Sequence, residues 1–457
     1  MNNPAASDRP NIVFINTDQQ SSQMMSCAGN RYLKTPAMDR LAEEGICFKR
    51  AYTTNPVCVP ARFSFFTGRM PSELNIRTNK HGMALEKIPE NILQNTAGQL
   101  LKNAGYRVAY GGKTHLPGDM SPETMGCENI SADKRDELAQ VSADWIRDQG
   151  AKGDQPFFLS ICMVNPHDIC FMGMRDFIRE TRGDAPDLNF NERWLLGDDS
   201  VEMSELNRAL SLPEGMSEEA FFANHCPPLP PNHQPQEDEP EAVRMQMGTE
   251  GFRHYIRENW GEKTWRLHRW AYGRLTERVD EQVGVVLKAI DDAGLTENTL
   301  VIFTSDHGDH SGSHKLDQKV IPYEEAARIP LLMRWPARIA AGQVETKIPV
   351  SNGLDLVPTF CDVAECVVPA DLKGQSLMPL ATGNQTSPSR EAIPMEWENG
   401  RGIVYGDMKY LLYDEGGSRE QLMDLAGDPY ETKNHVNDPD LQEELAKSRK
   451  VFDRMFA

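Results

Sequence analysis

Hydrophobic residues in this chain form short unbroken runs as well as longer stretches with helical spacing. Unbroken runs rich in β-branched residues are typical of buried strands. We predict such strands at 11–16 (NIVFIN), 106–110, 156–164 (PFFLSICMV) and 300–304 (LVIFT). Apolar positions three or four residues apart predict amphipathic helices at 36–44, 92–104 and 271–293. Strands that alternate with helices in this way indicate an α/β fold around a mostly parallel sheet.

The ends of these elements carry recognisable signals. Thr35 is predicted to cap the first helix, and Pro36 fits its first turn. A further short helix is expected after Val57, with Pro60 in its first turn and Gly68 at its end. Cys58 would then lie at the mouth of that helix, with its side chain aimed outward.

The last part of the chain has a different pattern. Alternation over 402–415 (GIVYGDMKYLLYDE) predicts antiparallel strands, and a terminal helix follows from about Asp440. The polar stretch 382–390 is a plausible boundary, so we predict a catalytic domain at 1–380 and a smaller subdomain at 381–457.

Between 170 and 270 the pattern is weak, and the proline-rich stretch 226–241 favours an irregular loop. Five side chains there could line a sugar or aryl site, although packing is the commoner role of such residues: His225, His233, Trp260, Trp265 and Trp270.

Composition narrows the functional classes. The 457 residues exceed what one simple core accommodates. A net charge of −20 argues against a nucleic-acid partner, and no stretch is apolar enough to cross a membrane. The nine scattered cysteines do not form a disulfide pattern. The first residues lack a secretory signal, so we expect a cytoplasmic protein if this start is native, and a periplasmic or secreted one if a signal was removed.

Polar side chains follow four of the predicted strands, where open α/β sheets bind their ligands. A single such residue usually belongs to an ordinary turn, but these clusters would meet in one crevice. They are Asp18-Gln19, Lys113 with His115, His167-Asp168, and Asp306-His307. Carboxylates suit a hard metal ion, and the cations suit an anion.

Cys58 and Arg62 add a second kind of chemistry. Arg62 lies one helical turn after Cys58, so both can face the helix N-terminus, which favours anions. Cys58 could equally be a small buried residue, which is the common state of a free cysteine. Taken together, these residues suit a site that transfers a tetrahedral oxyanion.

The stretch CVPARFSFFTG at 58–68 resembles the signature of the type I sulfatases, Cys-x-Pro-x-Arg followed by Thr-Gly. The resemblance extends in order along nearly the whole chain, through GKTH at 112–115, TSDHG at 304–308 and YEEAARIPL at 323–331 to QLMDLAGDPYETKNH at 421–435. It implies an alkaline-phosphatase-like central sheet flanked by helices, with a C-terminal subdomain of antiparallel sheet plus helix.

In that family the signature cysteine becomes Cα-formylglycine. The resemblance therefore implies that a formylglycine-generating maturation enzyme acts on Cys58. It also implies a divalent metal, Ca²⁺ with Mg²⁺ possible, held by residue 58 and by Asp18, Gln19, Asp306 and His307. Gln19 departs from the commoner second aspartate and removes one negative charge.

The remaining roles are carried over in the same way. Arg62, Lys113 and Lys319 would hold the sulfate oxygens, and His167 or Lys319 would protonate the leaving alcohol. His115 would take a proton when sulfate is released.

His314 and Asp168 are expected near the substrate. Lys315 is the alternative to Lys319 if the register slips, and His310 has no counterpart. The substrate is expected to be a small sulfate ester, and the long central insertion favours one carried by a saccharide.

Three alternatives stay open. The nearest is a phosphonate monoester or phosphodiester hydrolase of the same superfamily, which can share formylglycine and an Asp-Gln pair. The second is an alkaline-phosphatase-like transferase that uses the Cys58 thiol directly. The third is a non-catalytic protein that binds sulfated glycans.

Overall fold

The computed structural model, which describes residues 9–153, 155–183, 185–384 and 390–457, alternates strands with helices along most of its length. Within those ranges the strands are β1 Asn11–Asp18, β2 Ile46–Phe48, β3 Ala51–Tyr52, β4 Arg107–Gly112, β5 Glu128–Ser131, β6 Phe157–Pro166, β7 Thr299–Ser305, β8 Leu331–Arg334, β9 Gln343–Glu345, β10 Val350–Ser351, β11 Ile393–Trp397, β12 Gly400–Tyr405, β13 Met408–Tyr413 and β14 Glu420–Asp424. The α-helices are α1 Pro36–Glu43, α2 Cys58–Thr67, α3 Asn79–Met83, α4 Glu90–Leu93, α5 Ala97–Asn103, α6 Leu138–Lys152, α7 Cys170–Thr181, α8 Phe190–Leu196, α9 Val201–Leu210, α10 Glu218–Asn224, α11 Glu241–Gly248, α12 Gly251–Asn259, α13 Glu262–Asp292, α14 Glu324–Ala327, α15 Asn352–Val363, α16 Met378–Ala381 and α17 Gln442–Phe456.

The central sheet has eight strands in the order β5-β4-β6-β1-β7-β8-β2-β9. The first five lie parallel to their neighbours, β8 runs antiparallel to β7 and β2, and β2 pairs in parallel with β9. Every residue of β1 is buried, because strands lie on both sides of it and helices cover both faces. The predicted parallel sheet is therefore confirmed, and the predicted strands correspond to β1, β4, β6 and β7.

Alternate side chains of β1 enter two separate cores. Phe14 points to one face, where its ring lies 5.5 Å from that of Phe65 in α2 and 5.6 Å from that of Phe360 in α15. Val13 points to the other face and packs in the same core as Val283 of α13. Each buried large apolar side chain contributes roughly 1.5–3 kcal/mol to the stability of the fold. The two layers therefore hold β1, and the residues at its carboxyl end, in a fixed position.

Two local expectations were wrong. The helix predicted at 92–104 is two helices, α4 and α5, separated at a turn where the Thr96 hydroxyl donates to the Leu93 carbonyl. Thr35 does not cap α1; its hydroxyl interacts with Ser26 instead. Asp280 of α13 accepts the N–H groups of Ala37 and Met38 at 3.0 and 2.8 Å and provides the missing cap.

The region from 170 to 270 is largely helical, which its pattern did not indicate. It forms α7 to α12 and the first part of α13, and residues 226–240 of the proline-rich stretch lie between α10 and α11 without helix or strand. None of the helices in the described ranges has the length and apolar composition needed to cross a lipid bilayer.

The C-terminal part is a four-stranded antiparallel sheet, β11-β12-β13-β14, with α17 packed on one face, as expected. Its other face packs on the central part of the molecule, where Trp397 and Tyr413 share a core with Tyr52 and Tyr323. The boundary at residue 380 stays a prediction, and part of the polar stretch behind it, 385–389, lies outside the described residues.

Candidate active site

Two neighbouring strands and one helix bring four of the predicted residues together. Asp18 ends β1, Asp306 and His307 directly follow β7, and Cys58 begins α2. One ligand atom from each of the four residues lies within 4.8 Å of the corresponding atoms of the others, and all four residues are buried. The carboxyl ends of parallel strands thus meet as the sequence predicted.

Helix α2 places residue 58 at the centre of this cluster. Val57 is extended, with φ −145° and ψ 139°, and Gly68 ends the helix at φ 72°, where a glycine is favoured. The expectation that Cys58 points outward was wrong, because its side chain is 0% exposed. Its Sγ lies 3.2 Å from His307 Nε2 and 3.7 Å from Asp18 Oδ1.

Arg62 holds the two carboxylates in place. Its Nε donates to Asp306 Oδ2 at 3.0 Å and its Nη2 to Asp18 Oδ2 at 3.3 Å, while its Nη1 donates to the Lys113 carbonyl at 3.1 Å. The Lys113 ammonium lies 2.5 Å from Asp18 Oδ2. The cations therefore occupy one oxygen of Asp18 and leave Oδ1 facing Cys58 and His307.

Gln19 is held by the predicted Lys319 and by three side chains that were not predicted from the sequence. It has a positive φ of 70°, and its Oε1 accepts hydrogen bonds from Lys319 Nζ at 2.6 Å and Cys170 Sγ at 2.9 Å. Its Nε2 donates to Asp309 Oδ2 at 2.6 Å, and its carbonyl accepts from the Tyr272 hydroxyl at 2.6 Å. Asp309 could have been found as an acid two residues after His307, whereas Cys170 and Tyr272 gave no signal.

The Lys319 contact separates two candidate lysines. Lys319 Nζ lies 3.3 Å from Cys58 Sγ and is buried, whereas Lys315 is half-buried in a turn four residues earlier. The geometry therefore favours the register that assigns Lys319 to the site.

The charges of the cluster support a site for a divalent cation. Burial and the negative charge of Asp18 raise the pKa of Asp306 to about 7. Burial opposes ionisation of Asp18, but the positive charges of Lys113, Lys319 and Arg62 hold its pKa well below the usual range.

The ligand types also fit a metal site. Two carboxylates, one imidazole and residue 58 converge, and such a set of side chains can hold a divalent metal ion. Gln19 lies beside this set, but its side-chain oxygen is occupied by Lys319 and Cys170. Its role as a metal ligand stays a prediction.

The thiol of Cys58 is unusual for a buried cysteine. Burial and Asp18 disfavour its ionised form, but Lys319, Lys113 and His307 outweigh them and hold the pKa of the thiol well below its ordinary value. A buried cysteine without such cations is inert, so the environment of residue 58 is built for negative charge.

His167 lies beside the cluster, where it interacts with Cys58 and Asp18, and His115 closely follows Lys113 in the chain. Both are half-buried, and the Nδ1 atom of each has no hydrogen-bond partner in the described ranges. Burial and the charge of Lys113 lower the pKa of His167 to about 3, so its ring is neutral. His115 has a positive φ of 43° and follows Lys113 by two residues.

The two predicted substrate contacts are bound to other side chains of the protein. Asp168 accepts two hydrogen bonds from Arg135, at 2.9 and 2.7 Å, and is buried. The His314 ring packs 4.3 Å from that of Tyr323, and its Nε2 lies 3.3 Å from Asn232 Nδ2. The structure thus shows both residues in internal contacts, and their substrate roles stay predictions.

The aromatic and histidine residues noted between 225 and 270 have different surroundings. Trp270 and His225 border a cavity of about 770 Å³. Trp260 and Trp265 pack against each other at 4.9 Å, and His233 interacts with the Gly312 carbonyl.

Two family models match the chain. The Sulfatase model matches residues 10–366, and the model described as N-sulphoglucosamine sulphohydrolase, C-terminal, matches residues 312–455.

Individual proteins agree with these matches. A Delta 4,5-hexuronate-2-O-sulfatase of Bacteroides thetaiotaomicron is 29% identical over 98% of this chain and 89% of its own. The solved structure of a 2-O GAG sulfatase superposes with a TM-score of 0.78 at 26% identity, covering 98% of this chain and 92% of that one. A phosphonate monoester hydrolase of Agrobacterium radiobacter shares the fold, with a TM-score of 0.68 at 18% identity over 97% and 95% of the two chains.

Proposed function

Because the chain belongs to the sulfatase family, we propose that it is a sulfuric ester hydrolase acting on a sulfated saccharide. The observation that carries the proposal is the buried cluster of Asp18, Cys58, Asp306 and His307, with Lys113 and Lys319 beside it. The saccharide is supported by relatives whose names describe a hexuronate sulfatase and a 2-O GAG sulfatase.

Two groups complete the proposed site. Formylglycine derived from Cys58 supplies the nucleophilic oxygen in its hydrated form. A divalent cation, Ca²⁺ or Mg²⁺, would be held by Asp18, Asp306 and His307 and would supply positive charge where the sulfate oxygens gather. The residues fit such an ion, because Arg62 takes Oδ2 of each carboxylate and one ligand atom from each of residues 18, 58, 306 and 307 still lies within 4.8 Å of the others. The charge of Asp18 also still raises the pKa of Asp306, so a further cation is favoured there.

The side chains around residue 58 bind and orient the sulfate. Lys113 and Lys319 place two ammonium groups beside the reacting centre, in a buried setting where charge stabilisation is strong. Arg62 acts through the carboxylates that it holds, since its nitrogen atoms already bind Asp18, Asp306 and a carbonyl.

Hydrolysis breaks the bond between sulfur and the ester oxygen. The departing oxygen takes up one proton to become an alcohol, and the elements of water end on the alcohol and the sulfate. Lys319 and His167 are the two side chains proposed to give that proton, because both face residue 58. Lys319 carries it as an ammonium group, whereas His167 is neutral in the free protein and gives a proton only after it has taken one up beside the bound sulfate. His115 is proposed to accept the proton that is released when sulfate leaves.

The first experiment is the mass of the tryptic peptide 51–62, from protein made together with a formylglycine-generating enzyme. We expect the aldehyde at residue 58 and turnover of sulfated saccharides. Matched sulfate, phosphonate and phosphodiester substrates then separate the proposal from a phosphonate monoester hydrolase, whose similarity here is limited to the fold.

The outcomes are distinct. An unmodified thiol in protein that still turns over substrate would refute formylglycine and support direct use of the thiol. Faster turnover of phosphonate than of sulfate by the aldehyde form would refute the sulfatase assignment. Binding of sulfated saccharides by the aldehyde form without any turnover would support the non-catalytic alternative.

A further inference from the structure

Two adjoining cavities open close to the site, and none of the side chains proposed for catalysis lines them. The first, of about 490 Å³, lies between residues 21–33, the proline-rich stretch and the loop after His307. The second, of about 770 Å³, shares residues 31–33 with the first and continues along α13. Both have the size of ordinary ligand sites.

The lining of these cavities is cationic, although the chain as a whole is acidic. Six cationic side chains and three acidic ones line the two cavities, in a chain that has 48 lysines and arginines against 68 acids. We name this surface the arginine groove; its cations are Arg31, Lys34, Arg266, Arg269, Arg274 and Arg328. Arg266, Arg274 and Arg328 each form an ion pair with a glutamate. Arg31, Lys34 and Arg269 form none within the described ranges, and cations of this kind attract anionic ligands.

Arg269 is the clearest unsatisfied group in the groove. Its Nη1 donates to the Ser311 carbonyl at 3.0 Å, and its buried Nε has no partner in the described ranges. No carboxylate oxygen of those ranges lies within 4.0 Å of it, although Glu325 faces it from farther away. A guanidinium without a carboxylate is costly to bury, and its planar fork matches a sulfate or carboxylate group.

Other polar atoms of the first cavity also lack partners within the described ranges. They are buried, and they belong to Asn232 Oδ1, Ser313 Oγ, Glu325 Oε2 and both ring nitrogens of His310. Such a mixture of donors and acceptors can bind hydroxyl groups. Tyr32 and Tyr430 border the same cavity, and Tyr430 is 40% exposed, so an aromatic face is available for a sugar ring.

The groove is also close to the reacting centre. Asp309 and Tyr272 line the first cavity, and each is hydrogen bonded to Gln19, at 2.6 Å in both cases. A ligand in the groove would therefore lie one side chain away from a predicted metal ligand.

We propose that the arginine groove is a second binding site, which holds an anionic oligosaccharide through an acidic group on Arg269 and sugar hydroxyls on the polar atoms around Asn232. The identity of the ligand rests on the proposed function, since it is taken to be of the same class as the substrate. The groove would select chains of several rings over single sugars.

The test uses the full chain with Cys58→Ala, so that no ligand is consumed. Hydrogen exchange and calorimetry are measured with a sulfated tetrasaccharide, with the same tetrasaccharide after chemical desulfation, and with inorganic sulfate. We expect the sulfated tetrasaccharide to slow exchange in 26–34, a segment without proline. Arg269→Gln should weaken its affinity about tenfold and remove that protection.

Two further variants control for folding. Arg31 is exposed and bonds only to the Tyr32 hydroxyl within the described ranges, so Arg31→Ala should fold normally and weaken binding about threefold. Arg338 is exposed, stacks on Trp335 and lines neither cavity, so Arg338→Ala should bind like the parent.

Three results would overturn the proposal. They are unchanged exchange in 26–34, equal affinity in both groove variants and the parent, and equal protection by inorganic sulfate alone. These results are independent of catalysis: absence of sulfate ester turnover by formylglycine-bearing protein would refute the proposed function, and protection in the groove would still be measurable.

Discussion

Replacing Lys409 with methionine tests how the C-terminal sheet supports the segment that follows Lys319. Lys409 of β13 is 0% exposed, and its ammonium lies 2.7 Å from Glu324 Oε1 and 2.8 Å from Glu431 Oε1. It also donates to the Pro322 carbonyl at 3.1 Å. The contacts with Glu324 and Pro322 reach the segment that follows Lys319. One buried cation thus joins the C-terminal sheet to the central part of the molecule.

The expected loss follows from what remains after the substitution. Glu324 keeps Arg328 at 3.2 Å, but Glu431 keeps only the Glu324 N–H, at 2.6 Å, among the contacts described for its carboxylate. Breaking a buried ion pair by removing one partner costs about 3–5 kcal/mol. Because Glu324 keeps its contact with Arg328, we expect the loss of stability for Lys409→Met to lie toward the lower end of that range.

The loss should depend on pH. Burial raises the pKa of Glu431 to about 7 in spite of Lys409, and loss of the ammonium raises it further. A carboxyl group with a raised pKa binds a proton in the folded state that the unfolded chain has released. The folded variant is therefore destabilised most at pH 9, and the difference from the parent shrinks by about 1.4 kcal/mol per pH unit as the pH falls toward 7.

Urea unfolding at pH 6 and pH 9, followed by tryptophan fluorescence, measures both quantities, because Trp397 is buried in the adjoining core. Lys433→Met is the matched control, since that lysine is exposed and lies 3.4 Å from Asp438; its unfolding midpoint should not move. A loss below about 1 kcal/mol at pH 9, or an equal loss at both pH values, would refute the reasoning.

The remaining predictions concern the site and the first helix. Cys58→Ser should lower kcat at least about a thousandfold relative to parent protein whose maturation has been verified, because a single hydroxyl cannot replace the hydrated aldehyde. Lys319→Ala and His167→Ala should be compared on alkyl and nitrophenyl sulfates: the variant that lacks the proton donor loses about 10²–10⁴-fold on the alkyl ester and much less on the aryl ester. Equal losses on both esters would argue against either side chain as the donor. Chelation should lower both Tm and activity, and Ca²⁺ at about 100 times its Kd should restore about 2.7 kcal/mol of stability; an unchanged Tm would contradict the metal site. Asp280→Ala should cost about 1–2 kcal/mol in urea unfolding, because two N–H groups at the start of α1 lose their acceptor; a loss no larger than that of an exposed aspartate would contradict this role.

The strand ends were predictable because their pattern is local. An apolar run that stops at Asp18 or Asp306 already marks a buried strand with a polar end, and a parallel sheet brings such ends together. The gathering of Cys58 with those carboxylates was expected from the family resemblance, and the structure shows the distances.

Contacts between distant parts of the chain were not predictable in the same way. Thr35 is a residue type that often caps helices. Asp280 caps α1 instead, because α13 packs against α1 although it lies some 240 residues later in the chain. Gln19 is likewise held by Cys170 and Tyr272, which lie far from it in the sequence and reach it only through tertiary packing. The helices between 170 and 260 were missed because prolines and acidic turns interrupt them before a clear period develops.

Helix α2 has a consequence for the order of events during synthesis. All ten of its residues are buried, including Cys58, Pro60 and Arg62 of the signature. An enzyme that reads these side chains cannot reach them once the sheet and α15 have closed around the helix. Any conversion of residue 58 therefore takes place on the nascent or unfolded chain. A molecule that folds with its thiol intact stays unmodified for as long as it remains folded.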